Sequence, residues 1–194
     1  MNFLAHLFLS GRDDEIILGN FIGDFVKGKK YLDYSKGIGN GILLHRAIDH
    51  YTDSHPVVGR SKKRLEKKYR HYSGVIVDIF YDHFLARNWL RFADVPLEKF
   101  ASDCYKLVER NLHVLPEKAL YVFPFMVKGN WLVNYSNIQG IRNTMRGMAK
   151  RTSHESKMEE SVNDLEERYP EFEKDFLDFF PDITDFAEKL RRKN

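Results

Sequence analysis

Residues 43–56 read LLHRAIDHYTDSHP and residues 74–86 read GVIVDIFYDHFLA. Both carry apolar side chains at helical spacing, and both gather acidic and imidazole groups on one face. Positions four apart lie about 40° apart around a helix axis, so His45, Asp49 and Asp53 form one ridge and Asp78 sits beside Asp82. His83 is turned about 100° from Asp82 and completes the second set from its edge. Carboxylates in such apolar sequence are costly unless a cation or a hydrogen-bond network satisfies them. The pattern points to a metal site between helices, in which mixed imidazole and carboxylate ligation suits Mn, Fe or Zn better than Ca. The alternative is that His45 and Asp49 cap helices or pair with arginines such as Arg46.

The same periodicity extends outward from these two stretches. Apolar residues recur at helical spacing almost everywhere, while strand-type alternation and Asn-Gly turns are scarce. The reading is an all-α, compact multi-helix fold with helices over 2–9, 14–27, 36–54, 57–70, 73–92, 96–113, 117–128, 131–150, 154–168, 171–179 and 183–192. Pro56, Pro96, Pro116, Pro170 and Pro181 fall where new helices would begin. Gly37, Gly39 and Gly41 either let helices approach closely or simply lower helix propensity.

Two further stretches feed the expected site. In GNFIGDFVKG (19–28), Asn20 and Asp24 are four apart among apolar neighbours, making Asp24 a ligand or a hydrogen-bonded structural residue. His6, within FLAHLFL, poses the same choice between ligand and core histidine. Arg46, which follows His45, and Arg142 and Arg146, with Lys150 and Arg151 in GIRNTMRGMAKR (140–151), offer guanidinium forks to a phosphate or merely solvate a helix.

A chain of 194 residues is expected to form one domain over 1–194, burying roughly 70% of its unfolded surface. Hydrophobic residues make up 43% and charged residues 30%, with 15 Phe and 10 Tyr, which argues against disorder. Cys104 is the only cysteine, which excludes an internal disulfide or a cysteine-rich zinc site and suits the cytoplasm. No apolar run approaches the ~18 residues of a membrane span, and MNFLAHLFLSGRDD lacks a basic leader region. Charge is uneven: residues 155–194 hold 13 acids and 7 bases, leaving +9 on 1–154 out of a total of +3. Arg60, Lys62, Lys63, Arg64, Lys67 and Lys68 crowd one segment, either as a solvated face or as a docking site for an acidic partner. Nucleic acid is disfavoured because no reader motif accompanies the charge. Walker, Rossmann and G-x-S-x-G motifs are absent, and no histidine follows a glutamate by three residues as di-iron bundles require.

Taken in order, MNFLAHL, GNFIGDFVKG, GILLHRAIDHYTDSHP and YSGVIVDIFYDHFLA resemble the acyl carrier protein phosphodiesterase family. The likeness continues more loosely through NWLVNYSNIQGIRNTMRGMAKR, so that residues 1–151 carry it and the acidic helices of 152–194 match least. The resemblance implies a fold distantly related to the HD phosphohydrolases and a divalent metal, Mn favoured over Mg, Fe or Zn. It also implies hydrolysis of the diester joining 4′-phosphopantetheine to a serine of holo acyl carrier protein. The chain departs from the HD pattern in having no His-Asp dipeptide, only Asp49-His50 and Asp82-His83. In the HD arrangement, His6 approaches from the N-terminal helix, His45 and Asp49 are central, and an aspartate of the later helix, Asp78 or Asp82, closes the shell. The metal would activate water, and Asp24 or His83 would serve as general acid for the leaving serine oxygen. The rival readings are a metal-dependent phosphohydrolase of a nucleotide or other small phosphoester, and a non-catalytic helical binding protein.

Overall fold

The computed structural model describes residues 1–192, and among them all regular structure is helical. The α-helices are α1 (Phe3–Leu9), α2 (Asp14–Ile22), α3 (Lys36–Ser54), α4 (Pro56–Tyr69), α5 (Ser73–Arg87), α6 (Leu97–Arg110), α7 (Glu117–Lys128), α8 (Trp131–Asn134), α9 (Ile138–Ala149), α10 (Ser161–Glu167) and α11 (Tyr169–Arg191). Their starts are fixed by local chemistry. Asp13 Oδ1 accepts from the amides of Glu15 and Ile16, both at 3.0 Å, and Ser35 Oγ from that of Ile38 at 3.3 Å. Pro56 occupies the first turn of α4, where its missing N–H costs nothing. No helix among the described residues is long and apolar enough to cross a membrane.

α5 is the central helix: Ile76, Val77, Ile79, Phe80, Tyr81, Phe84 and Leu85 are all fully buried. Around it pack α1, α4, α9 and α11. The longest helix, α11, lays Phe172, Phe176, Phe179 and Phe180 into the same core. Two expected helices, 171–179 and 183–192, are thus one. Pro181 lies inside α11, and burial of the aromatic row on one side and of Ile183 and Ala187 on the other outweighs the lost backbone bond.

The expected helix over 131–150 is instead broken at an elbow. Asn137 Oδ1 accepts from Gly140 N at 2.7 Å and starts α9 afresh, and a Cβ on Gly140 would stand 1.9 Å from the Asn134 carbonyl. The helix expected over 14–27 stops at Ile22 and continues as one 3-10 turn, Gly23–Phe25.

α2 and α3 cross in close backbone contact. Gly41 does promote close approach: a Cβ there would lie 2.4 Å from Ile16 O, and one on Gly19 would lie 2.1 Å from Ile38 O. With no side chain on either residue, the two helices meet so closely that Asn20 of α2 stands against His45 of α3.

Candidate active site

Three elements bring the expected imidazoles together. His6 comes from α1 and His45 from α3, and their rings stack with centroids 3.8 Å apart and 15° between planes. Asn20 of α2 holds both. Its Nδ2 donates to the His6 carbonyl (2.8 Å) and to Ser10 Oγ (2.9 Å), which leaves Oδ1 to face the rings. Oδ1 lies 2.9 Å from His6 Nδ1 and 3.1 Å from His45 Nδ1, and the latter also reaches the Asn20 carbonyl at 2.9 Å. Oxygen partners at Nδ1 make that nitrogen the N–H of each ring and turn both Nε2 atoms outward. Gly23 completes the fit, because a Cβ there would stand 2.3 Å from His45 Cγ.

The outward nitrogens meet carboxylates. His6 Nε2 is 3.1 Å from Asp49 Oδ1; His45 Nε2 is 3.2 Å from Asp49 Oδ2 and 3.3 Å from Asp24 Oδ1. Although buried, His45 Nε2 is in hydrogen-bond geometry with neither carboxylate. Ligand atoms of His6, His45 and Asp49 all lie within 4.8 Å of one another. Ring lone pairs facing carboxylate oxygens repel unless a proton or a cation lies between them, so this donor set fits a divalent ion.

The carboxylates also favour a proton at that position. Burial opposes charge on His45, but the Asp24 and Asp49 carboxylates outweigh burial and raise its pKa to about 9. His6 stays neutral, pushed down to about 4 by burial and then by the charge of His45. Asp24 is held below the ordinary carboxylate value by His45; burial pulls Asp49 the other way, but its two histidine partners win and it too is lowered.

The later helix contributes differently from expectation. Asp82, fully buried on α5, accepts from the amides of Asn2 (3.1 Å), Leu4 (2.7 Å) and Ala5 (3.4 Å). It anchors the N-terminus of α1, and so positions His6, rather than closing the ligand shell. Burial pushes its pKa up to about 7 against the Met1 amino charge and those amides. Asp78 pairs with the Met1 amino group at 2.8 Å. The carboxylate that joins Asp49 beside the imidazoles is the earlier one, Asp24, whose side chain is 67% exposed. His83 turns away from the imidazole pair. Its Nδ1 donates to the Tyr135 carbonyl at 2.7 Å and its Nε2 lies 2.9 Å from Tyr169 Oη, so both nitrogens are spent on holding the α8–α9 elbow to α5 and α11.

A cavity of about 890 Å³ opens beside the cluster, lined by Asp24, Asp49, Asp53 and Asp78 together with Trp131, Tyr135, Met148 and Arg151. Arg151 is the only lysine or arginine in its lining among the described residues. The arginines expected to grip phosphate lie elsewhere. Arg46 donates to the Val26 carbonyl at 2.9 Å, Arg142 pairs with Glu166 at 2.9 Å, and Arg146 is exposed outside the cavity. The basic segment is likewise used internally. Arg60 and Arg64 bind Asp175 of α11, Lys68 binds Asp164 and Glu160, and Lys62 binds Asp53, which leaves Lys63 and Lys67 without an ion pair among the described residues.

Sequence reasoning passed over Asn20 as an orienting group. Its signal was an amide in the apolar run of α2, since a buried amide must find partners on both its nitrogen and its oxygen. If His6, His45 and Asp49 hold a divalent ion, Asn20→Ala is expected to weaken its binding by about 10- to 100-fold, because residues that orient metal-binding histidines carry effects of that size. Calorimetric titration checks this, and an affinity within threefold of wild type would remove Asn20 from the site.

A family model described as acyl carrier protein phosphodiesterase matches residues 1–183, extending beyond residues 1–151 into the acidic helices. Proteins named acyl carrier protein phosphodiesterase are similar to this chain over 167 residues. That of Photorhabdus laumondii is 35% identical, covering 86% of this chain and 84% of the relative. Those of Pectobacterium atrosepticum and Yersinia enterocolitica are 34% and 32% identical, each covering 86% of both chains. No solved structure matches the chain.

Proposed function

Because the chain belongs to the acyl carrier protein phosphodiesterase family, we propose that it hydrolyses the diester between 4′-phosphopantetheine and a serine of holo acyl carrier protein. The products are apo carrier protein and 4′-phosphopantetheine. The observation that carries the site assignment is the pair of stacked imidazoles, each held through Nδ1 by Asn20 and each presenting Nε2 to Asp49. His6, His45 and Asp49 would hold a divalent cation, Mn favoured. When bound, the cation supplies charge neutralisation at the phosphoryl oxygens and makes water acidic enough to react near neutral pH.

The chain's own residues do the rest. Asp24, anionic at neutral pH and exposed to the cavity, accepts the proton of the attacking water. That reverses the acid role expected of it, since a carboxylate with a lowered pKa has no proton to give. As the bond between phosphorus and the serine oxygen breaks, that oxygen takes up a proton from solvent in the open cavity. Arg151, which lines the same cavity, draws the anionic substrate in. Asp82 and Asn20 keep His6 and His45 in place through α1 and the ring nitrogens. A cytoplasmic setting goes with this reading, the single Cys104 being buried and unpaired.

The test is to incubate the purified protein with holo carrier protein, with and without Mn, and weigh the carrier by intact-protein mass spectrometry. Mn-dependent loss of the phosphopantetheine mass is expected; an unchanged carrier overturns the proposal and favours a small phosphoester.

pH should act through His45. Below about 9 its Nε2 carries the proton that the cation must displace, so apparent Mn affinity is expected to fall by up to tenfold per pH unit as pH drops. Calorimetry at pH 6.5, 7.5 and 8.5 in two buffers of different ionisation enthalpy reads both the slope and the proton released. A flat profile would show that His45 is not a ligand.

A further inference from the structure

α7 has two apolar faces. Ala119, Phe123 and Met126 face the core, yet Leu120, Tyr121, Phe125 and Val127 are exposed, Tyr121 at 72% and Phe125 at 55%. The Tyr121 and Phe125 rings stand one turn apart with centroids 5.5 Å from each other. An apolar patch of this kind on a surface helix marks a contact site rather than scattered exposure.

The chain around that patch is one-signed. From residue 118 to residue 154 there is no Asp or Glu, while Lys118, Lys128, Arg142, Arg146, Lys150 and Arg151 are all basic. Arg142 is spent on Glu166, but the others make no ion pair among the described residues. The same segment walls the cavity through Val122, Trp131, Asn143 and Arg151, and the last two are exposed, so the cavity reaches the surface there. α4, by contrast, has four of its six clustered cations neutralised by Asp53 and the acidic residues of α10 and α11.

We propose that the rim formed by α7, α8 and α9, and not α4, docks an acidic protein partner. The partner's contacting helix would set apolar side chains on Tyr121 and Phe125 and carboxylates on Lys128 and Lys150. This rests on the reading that the substrate is a diester borne on a carrier protein. The phosphorus of such a diester is bonded directly to the carrier's serine oxygen, with the pantetheine arm beyond it, so the protein that carries it must sit against the opening. A one-signed rim whose cations, Arg142 apart, make no ion pair among the described residues steers an acidic carrier there, and the aromatic pair supplies the desolvated contact that holds it.

The experiment compares initial rates against holo carrier concentration for the Mn-loaded full chain. The variants are Tyr121→Ser/Phe125→Ser, Lys128→Glu/Lys150→Glu and, on α4, Lys63→Glu/Lys67→Glu. All six positions are on the surface, and thermal unfolding midpoints close to wild type verify the fold. Each rim variant is expected to raise KM about tenfold at low salt with kcat within about twofold, while the α4 variant keeps KM within about twofold. Anisotropy of labelled apo carrier protein should show the same loss of affinity without any chemistry. Unchanged KM in both rim variants, a fall in kcat at unchanged KM, or a larger rise in the α4 variant overturns the docking surface and leaves the reaction standing. A wild-type protein that leaves holo carrier intact overturns the reaction and the docking with it.

Discussion

His45→Ala is expected to lower turnover of holo carrier protein by about a thousandfold and to abolish tight Mn binding while the chain remains folded. A bound cation contributes several kcal/mol of charge stabilisation at a phosphoryl centre, and at about 1.4 kcal/mol per tenfold a loss of ~4 kcal/mol is three orders of magnitude. His45 is where that loss should be greatest. Its Nε2 is the one atom within ion-pair distance of both Asp24 and Asp49, and it is buried without a hydrogen bond of its own. Removing the ring leaves Asp24 and Asp49 facing each other with neither proton nor ligand between them. Asp24→Asn is the companion variant. If Asp24 accepts the proton from water, its amide should cut kcat by about 100-fold or more yet keep Mn bound. Rates come from intact-protein mass spectrometry and metal content from elemental analysis after desalting. A His45→Ala protein that retains a tenth of the wild-type rate with stoichiometric Mn would place the chemistry elsewhere.

The helical spacing around His45 and Asp82 exposed both the all-α fold and the two motifs, because apolar periodicity reports directly which face a helix buries. What it could not report is which of several acidic groups at the same spacing face each other across helices. Asp24 and Asp82 look alike in sequence, each a carboxylate in an apolar helical run. The 3-10 turn at Gly23–Phe25 swings Asp24 beside His45, while the fully buried Asp82 meets the unsatisfied amides at the start of α1. The placement of His83 was hidden for a related reason: next to Asp82 in sequence, it points to the α8–α9 elbow, and that elbow breaks a helix whose periodicity reads as continuous. Pro181 erred in the opposite direction, a strong local break overridden by core burial on either side. The local glycines were readable only as ambiguous; Gly41 acquires its meaning from Gly19 on another helix.

The uneven charge of the chain, basic before residue 155 and acidic after it, finds its use in folding, and Asp175→Ala is expected to show how much. Asp175 is only 3% exposed and serves three donors of α4. Its Oδ1 accepts from Arg60 Nη2 at 2.9 Å, and its Oδ2 accepts from Ser61 Oγ at 2.9 Å and from Arg64 Nη1. Ser61 Oγ is in turn 3.0 Å from Tyr81 Oη of the central helix, so one carboxylate ties α11, α4 and α5 together. Removing one member of a buried charge network costs about 3–5 kcal/mol, because the partners stay buried and unpaired. The partial exposure of Arg60 and Arg64 places the expected loss near ~3 kcal/mol, or a fall in Tm of about 10 °C for a chain of this length. Burial works against ionisation of Asp175, but Arg60, Ser61 and Arg64 outweigh it and hold its pKa below the ordinary value of 3.8. A carboxylate lowered in this way stabilises the fold fully above the unfolded value, and the contribution disappears as pH falls through the lower folded one. The difference in Tm between wild type and Asp175→Ala should therefore shrink under strongly acidic conditions and be constant near neutrality. Well below the melting temperature the variant should turn over carrier protein at the wild-type rate, since His6, His45 and Asp49 come from α1 and α3. Circular dichroism melts and rates at 20 °C check the two halves separately. A Tm within 2 °C of wild type would mean that the basic helix does not depend on its acidic partner, and would return α4 to consideration as a surface for an external one.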